Sequence, residues 1–258
     1  MSPEEVRARG LDSVDVVFVS GDAYVDHPSF AAAILGRALE AAGFSVAILA
    51  QPDWKTAEDF RRFGRPRLFF AVSAGNMDSM INHYTANRKP RSDDAYSPGG
   101  RAGRRPDRAT SVYAQRCREA FPGVPVIAGG VEASLRRVAH YDYWSDTVKP
   151  SILVSSKADL VVFGMGEAPI VEIARRLDAG ESVRDLRDMR GVAYLLGRTE
   201  EVPTFASALR GPATPDDDTR ELPSFEDVKT DHAAFARATR IVHLESNPLN
   251  ARRLVQRH

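Results

Sequence analysis

Apolar residues along the chain follow two alternating periods. At 14–20 the run Val14-Asp15-Val16-Val17-Phe18-Val19-Ser20 is β-branched and apolar and ends on Gly21-Asp22, which predicts a buried strand entering a turn. At 29–43 the period changes. Phe30, Ile34, Leu35, Ala38, Leu39 and Ala42 recur at helical spacing and Gly43 stands at the C-cap, so a helix is expected. Residues 45–50 read as a second strand, Thr56 as the N-cap of a short helix carrying Phe60 and Phe63, and 68–73 as a third buried strand.

The rhythm breaks over 74–108, which is rich in Gly, Pro, Asn, Asp and Arg and too long for an ordinary strand-to-helix loop. It resumes with a helix at 109–121, strands at 124–128 and 159–163, and a helix at 169–179. This alternation predicts an open, doubly wound α/β sheet of five parallel strands over 1–200, which would bind ligands outside the carboxyl ends of its strands. An edge strand is expected within 191–197. Over 201–258 the pattern gives a linker, centred on 212–218, and a helix at 224–242.

Four carboxyl-edge loops then draw attention. They hold Gly21 to His27, Ser73-Ala74-Gly75-Asn76, Gly129-Gly130-Val131-Glu132 and Gly164-Met165-Gly166-Glu167. Glycines after strands let the backbone approach a ligand, and each pair is equally a tight turn; four on one edge point to a shared cleft. Asp26-His27 reads either as an acid/base or metal pair or as a cap for the first helix ahead of Pro28. Glu132 and Glu167 are placed to bond a ribose or to pair with arginines. Arg136, Arg137, His140, Asp142 and Trp144 read as a structural ion-pair and stacking cluster.

Composition and charge narrow the classes. With 258 residues, 43% of them hydrophobic, the chain can bury a substantial core; 35 basic residues balance 35 acidic ones, so no overall field draws nucleic acid or an anionic membrane. Arginines and Lys89 over 88–108 are a candidate phosphate or RNA contact, but Asp93, Asp94 and Asp107 interleave with them, and a solvated or interdomain loop is the expected role. No run approaches the roughly 18 apolar residues of a membrane span, and residues 1–10 are too charged for a signal peptide, so a cytoplasmic location is expected. The single cysteine, Cys117, cannot supply the thiolates of an iron–sulfur cluster and reads as a small buried residue.

Taken together, Asp26-His27-Pro28-Ser29-Phe30, Gln51-Pro52-Asp53-Trp54, Ser73 to Asp78, Tyr96-Ser97-Pro98-Gly99-Gly100, Arg105-Pro106-Asp107, Gly129 to Arg137, His140 to Trp144 and Gly164 to Glu167 carry a resemblance. The chain resembles the amino-terminal region of the YgiQ-type radical S-adenosylmethionine (SAM) proteins. That resemblance implies a flavodoxin-like domain, similar to cobalamin-binding modules, ahead of a radical SAM barrel in the same polypeptide. The barrel would hold the [4Fe–4S] cluster and SAM, since this chain lacks the Cys-x3-Cys-x2-Cys triad, and no catalytic residue carries over. It also implies that Asp26, His27, Ser73, Asn76, Gly129, Gly130, Glu132, Arg136, Gly164, Gly166 and Glu167 line a ligand or interdomain cleft. The Asp-x-His-x-x-Gly pattern that offers a histidine to cobalt is missing, because Asp26 and His27 are adjacent, which argues against cobalamin. The alternative is a standalone binding module for a small cobalamin- or nucleotide-like molecule.

Overall fold

A computed structural model describes residues 2–201, 219–247 and 250–258; the linker expected at 212–218 lies outside the described residues. The chain divides into two compact units, Met1–Arg137 with Ile152–Leu195, and Val138–Ser151 with Leu196–His258.

In the first unit, helix α1 (Pro3–Ala8) precedes β1 (Val16–Ser20), α2 (Ala31–Ala41), β2 (Val46–Ala50) and β3 (Phe69–Ser73). The long loop that follows carries a short helix, α3 (Ser79–His83). Then come α4 (Ala109–Ala120), β4 (Val126–Gly129) and α5 (Gly130–Leu135). Beyond a hairpin of β5 (His140–Asp142) and β6 (Thr147–Lys149), which belongs to the second unit, the first resumes with α6 (Ile152–Ser156), β7 (Leu160–Val162), α7 (Glu167–Asp178) and β8 (Val192–Ala193).

The sheet order is β2-β1-β3-β4-β7-β8, with β1, β2, β3, β4 and β7 parallel and β8 antiparallel on the edge. This is the flavodoxin-like doubly wound order, whose direction of winding switches between β1 and β3. Strand alternation explains the two layers. Val17, Val19, Phe70, Val72, Val126 and Ala128 pack on one side with Tyr113, Ala114 and Cys117 of α4; Val16, Phe18, Phe69, Ala71 and Ile127 pack on the other with Leu39 of α2 and Ile170, Ile173 and Ala174 of α7. Both faces are covered, which is why the strands read as continuous apolar runs.

Register sets the site. Ser20 lies beside Ser73, and Ser73 beside Gly129, so the loops after β1, β3 and β4 leave the sheet at one level.

Two helical expectations are corrected. Asp26 does not cap α2: the helix starts at Ala31 with extended Phe30 as N-cap and no side-chain cap, five residues beyond Asp26 and out of its reach. Thr56 accepts from the Glu58 amide at 3.4 Å in a turn, and only a 3-10 turn, Asp59–Arg61, follows.

The second unit adds β9 (Thr219–Glu221), paired in parallel with β10 (Arg253–Val255), and two helices, α8 (Phe225–Thr230) and α9 (His232–Leu244). The single helix expected at 224–242 is therefore two. Asp231 is extended, ends α8, and caps α9 by accepting from the Ala233 amide at 2.8 Å. Val228, Ala234 and Ala238 form the buried core of this unit.

Candidate functional site at the carboxyl edge

Two buried ion clusters fill the carboxyl edge of the first unit, where a doubly wound sheet would ordinarily leave a crevice. The first gathers around Arg105, whose side chain is wholly buried. Its Nη1 donates to Asp22 Oδ1 at 2.8 Å and to the Ala74 carbonyl at 2.9 Å, and its Nη2 to Asp94 Oδ2 at 3.0 Å. Asp22 is the second residue after β1, and Arg105 and Asp94 belong to the long loop, so one guanidinium ties that loop to the sheet.

Each carboxylate has further donors. The Asn76 amide donates to Asp22 Oδ2 at 2.6 Å; the Tyr96 amide donates to Asp94 Oδ1 at 2.9 Å and the Ser97 hydroxyl to Asp94 Oδ2 at 2.7 Å. Gln51, at the end of β2, holds a left-handed backbone (φ 46°) and donates from Nε2 to the Gly21 carbonyl at 3.0 Å and to Ser97 Oγ at 2.6 Å. Burial pushes the Asp22 carboxyl above its ordinary range, against the pull of the Asn76 amide and Arg105. At Asp94 burial acts in the same sense, but Ser97, the Tyr96 amide and Arg105 together outweigh it and hold the group low. Gly75 (φ 110°) leaves room for Asp22, since a Cβ there would collide with the Asp22 carboxylate.

The second cluster centres on Glu132 of α5, 1% exposed. Its Oε2 accepts from the Ser79 amide at 2.8 Å and the Ser79 hydroxyl at 2.6 Å, and its Oε1 accepts from the Thr110 amide at 2.9 Å. The Ala109 amide donates to Ser79 Oγ at 3.0 Å. Glu132 and Ser79 thus cap the first turn of α4, whose orphan N–H groups and positive dipole end favour a carboxylate. Arg136, one turn further on at the C-cap of α5, pairs with Asp78 at 2.7 Å and lies 3.4 Å from Glu132. Asp78 in turn caps α3, accepting from the Met80 amide at 2.9 Å; burial and then the neighbouring Glu132 charge raise its pKa. Gly130 (φ 79°) starts α5 hard against β3, where a Cβ would stand 2.6 Å from Ser73 Oγ.

Ser73, Gly129, Gly130, Glu132 and Arg136 are therefore brought together at the ends of β3 and β4. Ser73 Oγ accepts from the Gly75 amide at 3.1 Å. Asn76 joins through its backbone bond to Asp22. Asp26 and His27 lie at the surface instead: Asp26 accepts from Tyr24 and from Arg37 at 3.1 and 3.0 Å, and His27 Nδ1 from the Ser29 amide at 3.1 Å. Gly164 and Gly166 flank Met165 beyond β7. Glu167 opens α7 and borders a shallow, open groove of about 690 Å³ with Glu172, Arg175, Met189 and Arg190.

One expectation about arginines changes. Arg105, expected in a solvated or interdomain loop, is buried as deeply as Glu132. Around Arg136, the structure shows Arg136 bonded to Asp78 and Glu132, Arg137 over the Phe163 ring at 4.7 Å, and Asp142 accepting from the Ser145 amide at 3.2 Å. Asp22, Asp78, Ser79, Asp94, Arg105, Gln51 and Ser97 are among the residues that sequence reading left out of the site. The only signal for Asp22 was its place directly after a strand-ending glycine.

The crevice left at the β1/β3 switch, lined by Ser20, Asp22, Phe30, Ser73, Gly75 and Asn76, measures about 10 Å³. That is room for about one water, so it does not fit the nucleotide tail of a cobalamin. Nor does Cys117 fit an iron–sulfur site: it faces the core from α4, fully buried, and burial raises its thiol pKa well above the ordinary value. Among the described residues no group of three or more His, Cys, Asp or Glu side chains is arranged to hold a metal ion, and no helix is long and apolar enough to cross a membrane.

Residues 1–258 match the family described as radical SAM N-terminal. The UPF0313 protein blr7973 of Bradyrhizobium diazoefficiens is 56% identical over the whole chain, which covers 39% of that protein. The UPF0313 protein YgiQ of Escherichia coli K12 is 50% identical, again over the whole chain and 40% of the relative. The chain thus spans about two-fifths of the length of these curated relatives. Among solved structures, the radical SAM methyltransferase TsrM of Kitasatospora setae, with tryptophan substrate and the SAM analogue aza-SAM bound, aligns with a TM-score of 0.47 at 15% identity, over 93% of this chain and 47% of that one.

Proposed function

We propose a function that proceeds from family membership: the chain belongs to the radical SAM N-terminal family, and it serves as the accessory domain of a [4Fe–4S]-dependent radical SAM protein. The observation that carries this reading is the filled carboxyl edge. Carboxylates whose oxygens are engaged by Arg105, Arg136, Ser79 and backbone amides have their acceptor positions committed within the fold, and the crevice beside them has room for about one water. Such an edge is suited to hold a fixed shape against the part of the polypeptide that does the chemistry. In this reading the cluster and SAM belong to the polypeptide beyond the match, in a barrel domain, and the carboxyl edge shapes the mouth of its active site for a substrate yet to be identified. No step is assigned to this chain's own side chains.

The test is the iron content of the full-length protein purified without oxygen. The expected result is about four irons per polypeptide, as one [4Fe–4S] cluster requires, lost on replacing the cysteines outside the matched region and retained on replacing Cys117 with alanine. Iron lost with Cys117 alone, or none in the intact protein, overturns the proposal.

A further inference from the structure

Helix α5 is turned inside out. Glu132 and Arg136 face inward, whereas Val131 and Leu135, also four apart and therefore on one helical face, are 48% and 60% exposed. A helix on a free surface shows the reverse arrangement. The neighbouring loops repeat the anomaly. Met165, beyond β7, is 81% exposed; Ile81 in the loop after β3 and Tyr24 and Val25 after β1 are exposed as well. These residues come from four loops at the ends of the adjacent strands β1, β3, β4 and β7, so they share the carboxyl edge. Among the described residues of the first unit, Leu195 is the sole other exposed large hydrophobic, which makes the concentration at this edge a feature to be explained.

We infer that this apolar rim is a docking face for the rest of the same polypeptide, the roughly three-fifths of the relatives' length that lies outside the match. The inference rests on the accessory-domain reading and adds to it the residues that make the contact. The occupant presents apolar side chains to Tyr24, Val25, Ile81, Val131, Leu135 and Met165, and Asp26, exposed and paired with Arg37, follows Val25 directly in the same loop. The buried clusters supply what such a face needs: Glu132 and Arg136 fix α5 from beneath, and Arg105 fixes the long loop, so that the rim is presented without an ordering cost at docking. The one-water crevice behind it favours a protein surface over a small ligand as the occupant.

The test is amide hydrogen exchange in the full-length protein, comparing wild type with the triple variant Val131→Asp, Leu135→Asp and Met165→Asp. These side chains are exposed and lie outside the buried core, so strands 16–20, 69–73 and 126–129 are expected to stay protected and report an intact fold. The expected result is slow exchange at 131–136 and 164–167 in wild type, accelerated at least ~10-fold in the variant. The alanine triple, which removes apolar area without adding charge, is expected to move exchange the same way by less. Equal exchange in all three proteins overturns the inference, as does protection that grows with protein concentration alongside dimer formation, which would assign the rim to a second copy. Iron content separates the two levels: an unprotected rim in a protein that holds its cluster removes the docking face alone, whereas absence of iron removes the reading beneath it.

Discussion

Arg105→Met is expected to destabilise the protein by about 3–5 kcal/mol, because it leaves two buried carboxylates without their cation. Methionine approximates the volume of the aliphatic stem, so the loss reports charge and hydrogen bonding and not a cavity. Arg105→Lys is expected to recover only part of it. A single ammonium cannot reproduce the planar fork that reaches Asp22, the Ala74 carbonyl and Asp94 at once. Adding Asp22→Asn and Asp94→Asn to Arg105→Met is expected to restore stability towards wild type, since neutral partners remove the desolvated charges; the residues are in contact and their effects will not add. Urea midpoints at constant slope measure all four proteins. A change below ~1 kcal/mol for Arg105→Met would mean that water reaches Asp22 and Asp94, contrary to their burial.

Glu132→Ala is the second large effect, also about 3–5 kcal/mol. It removes the acceptor for Ser79 and Thr110 and leaves Arg136 to Asp78 alone, so α3, the start of α4 and α5 lose their common tie. Glu132→Gln keeps the shape but turns an amide NH2 towards a donor that it cannot accept from, on either the Ser79 or the Thr110 side. A smaller loss of about 1–3 kcal/mol is therefore expected. Hydrogen exchange locates the damage: 79–83 and 109–112 should exchange faster in Glu132→Ala, while the β1–β2 pair at the far side of the sheet stays protected. Uniform loss across the sheet would contradict a local tie.

How far the sequence discloses these features depends on the distance over which each is determined. Strands 16–20 and 69–73 are legible because both faces are buried and every residue in them is apolar or small. Helices α2, α4 and α7 are legible because each runs for eleven or twelve residues with an apolar stripe. Helix α5 is not. It has six residues, and its apolar side faces out, so periodicity gives a signal opposite to its burial. The split of 224–242 at Asp231 escapes for the converse reason: the apolar spacing carries on across the break, and the double use of one aspartate as an end and a start is a backbone event.

The site shows the same division. Glycines and glutamates after strands are visible in one dimension, and they do converge on the carboxyl edge at Ser73, Gly129, Gly130 and Glu132. Asp26-His27 is the conspicuous pair in the sequence and stays at the surface, because adjacent side chains diverge and each finds a local partner. Asp22 and Arg105 meet across 83 positions, and the composition of 88–108 does not separate Arg105 from the exposed Arg88, Arg91, Arg101 and Arg104; the motif Arg105-Pro106-Asp107 marks it through the resemblance alone. Long-range ion pairing of this kind is a property of the folded chain alone.

The measurement that tests the central claim most directly is reductive cleavage of S-adenosylmethionine to methionine and 5′-deoxyadenosine, assayed anaerobically with dithionite as the added electron donor, with the full-length protein and with this 258-residue chain side by side. The account predicts product from the full-length protein and none from the chain, whose single cysteine is fully buried. Product from the chain alone, or none from a full-length protein that carries its iron, would contradict it.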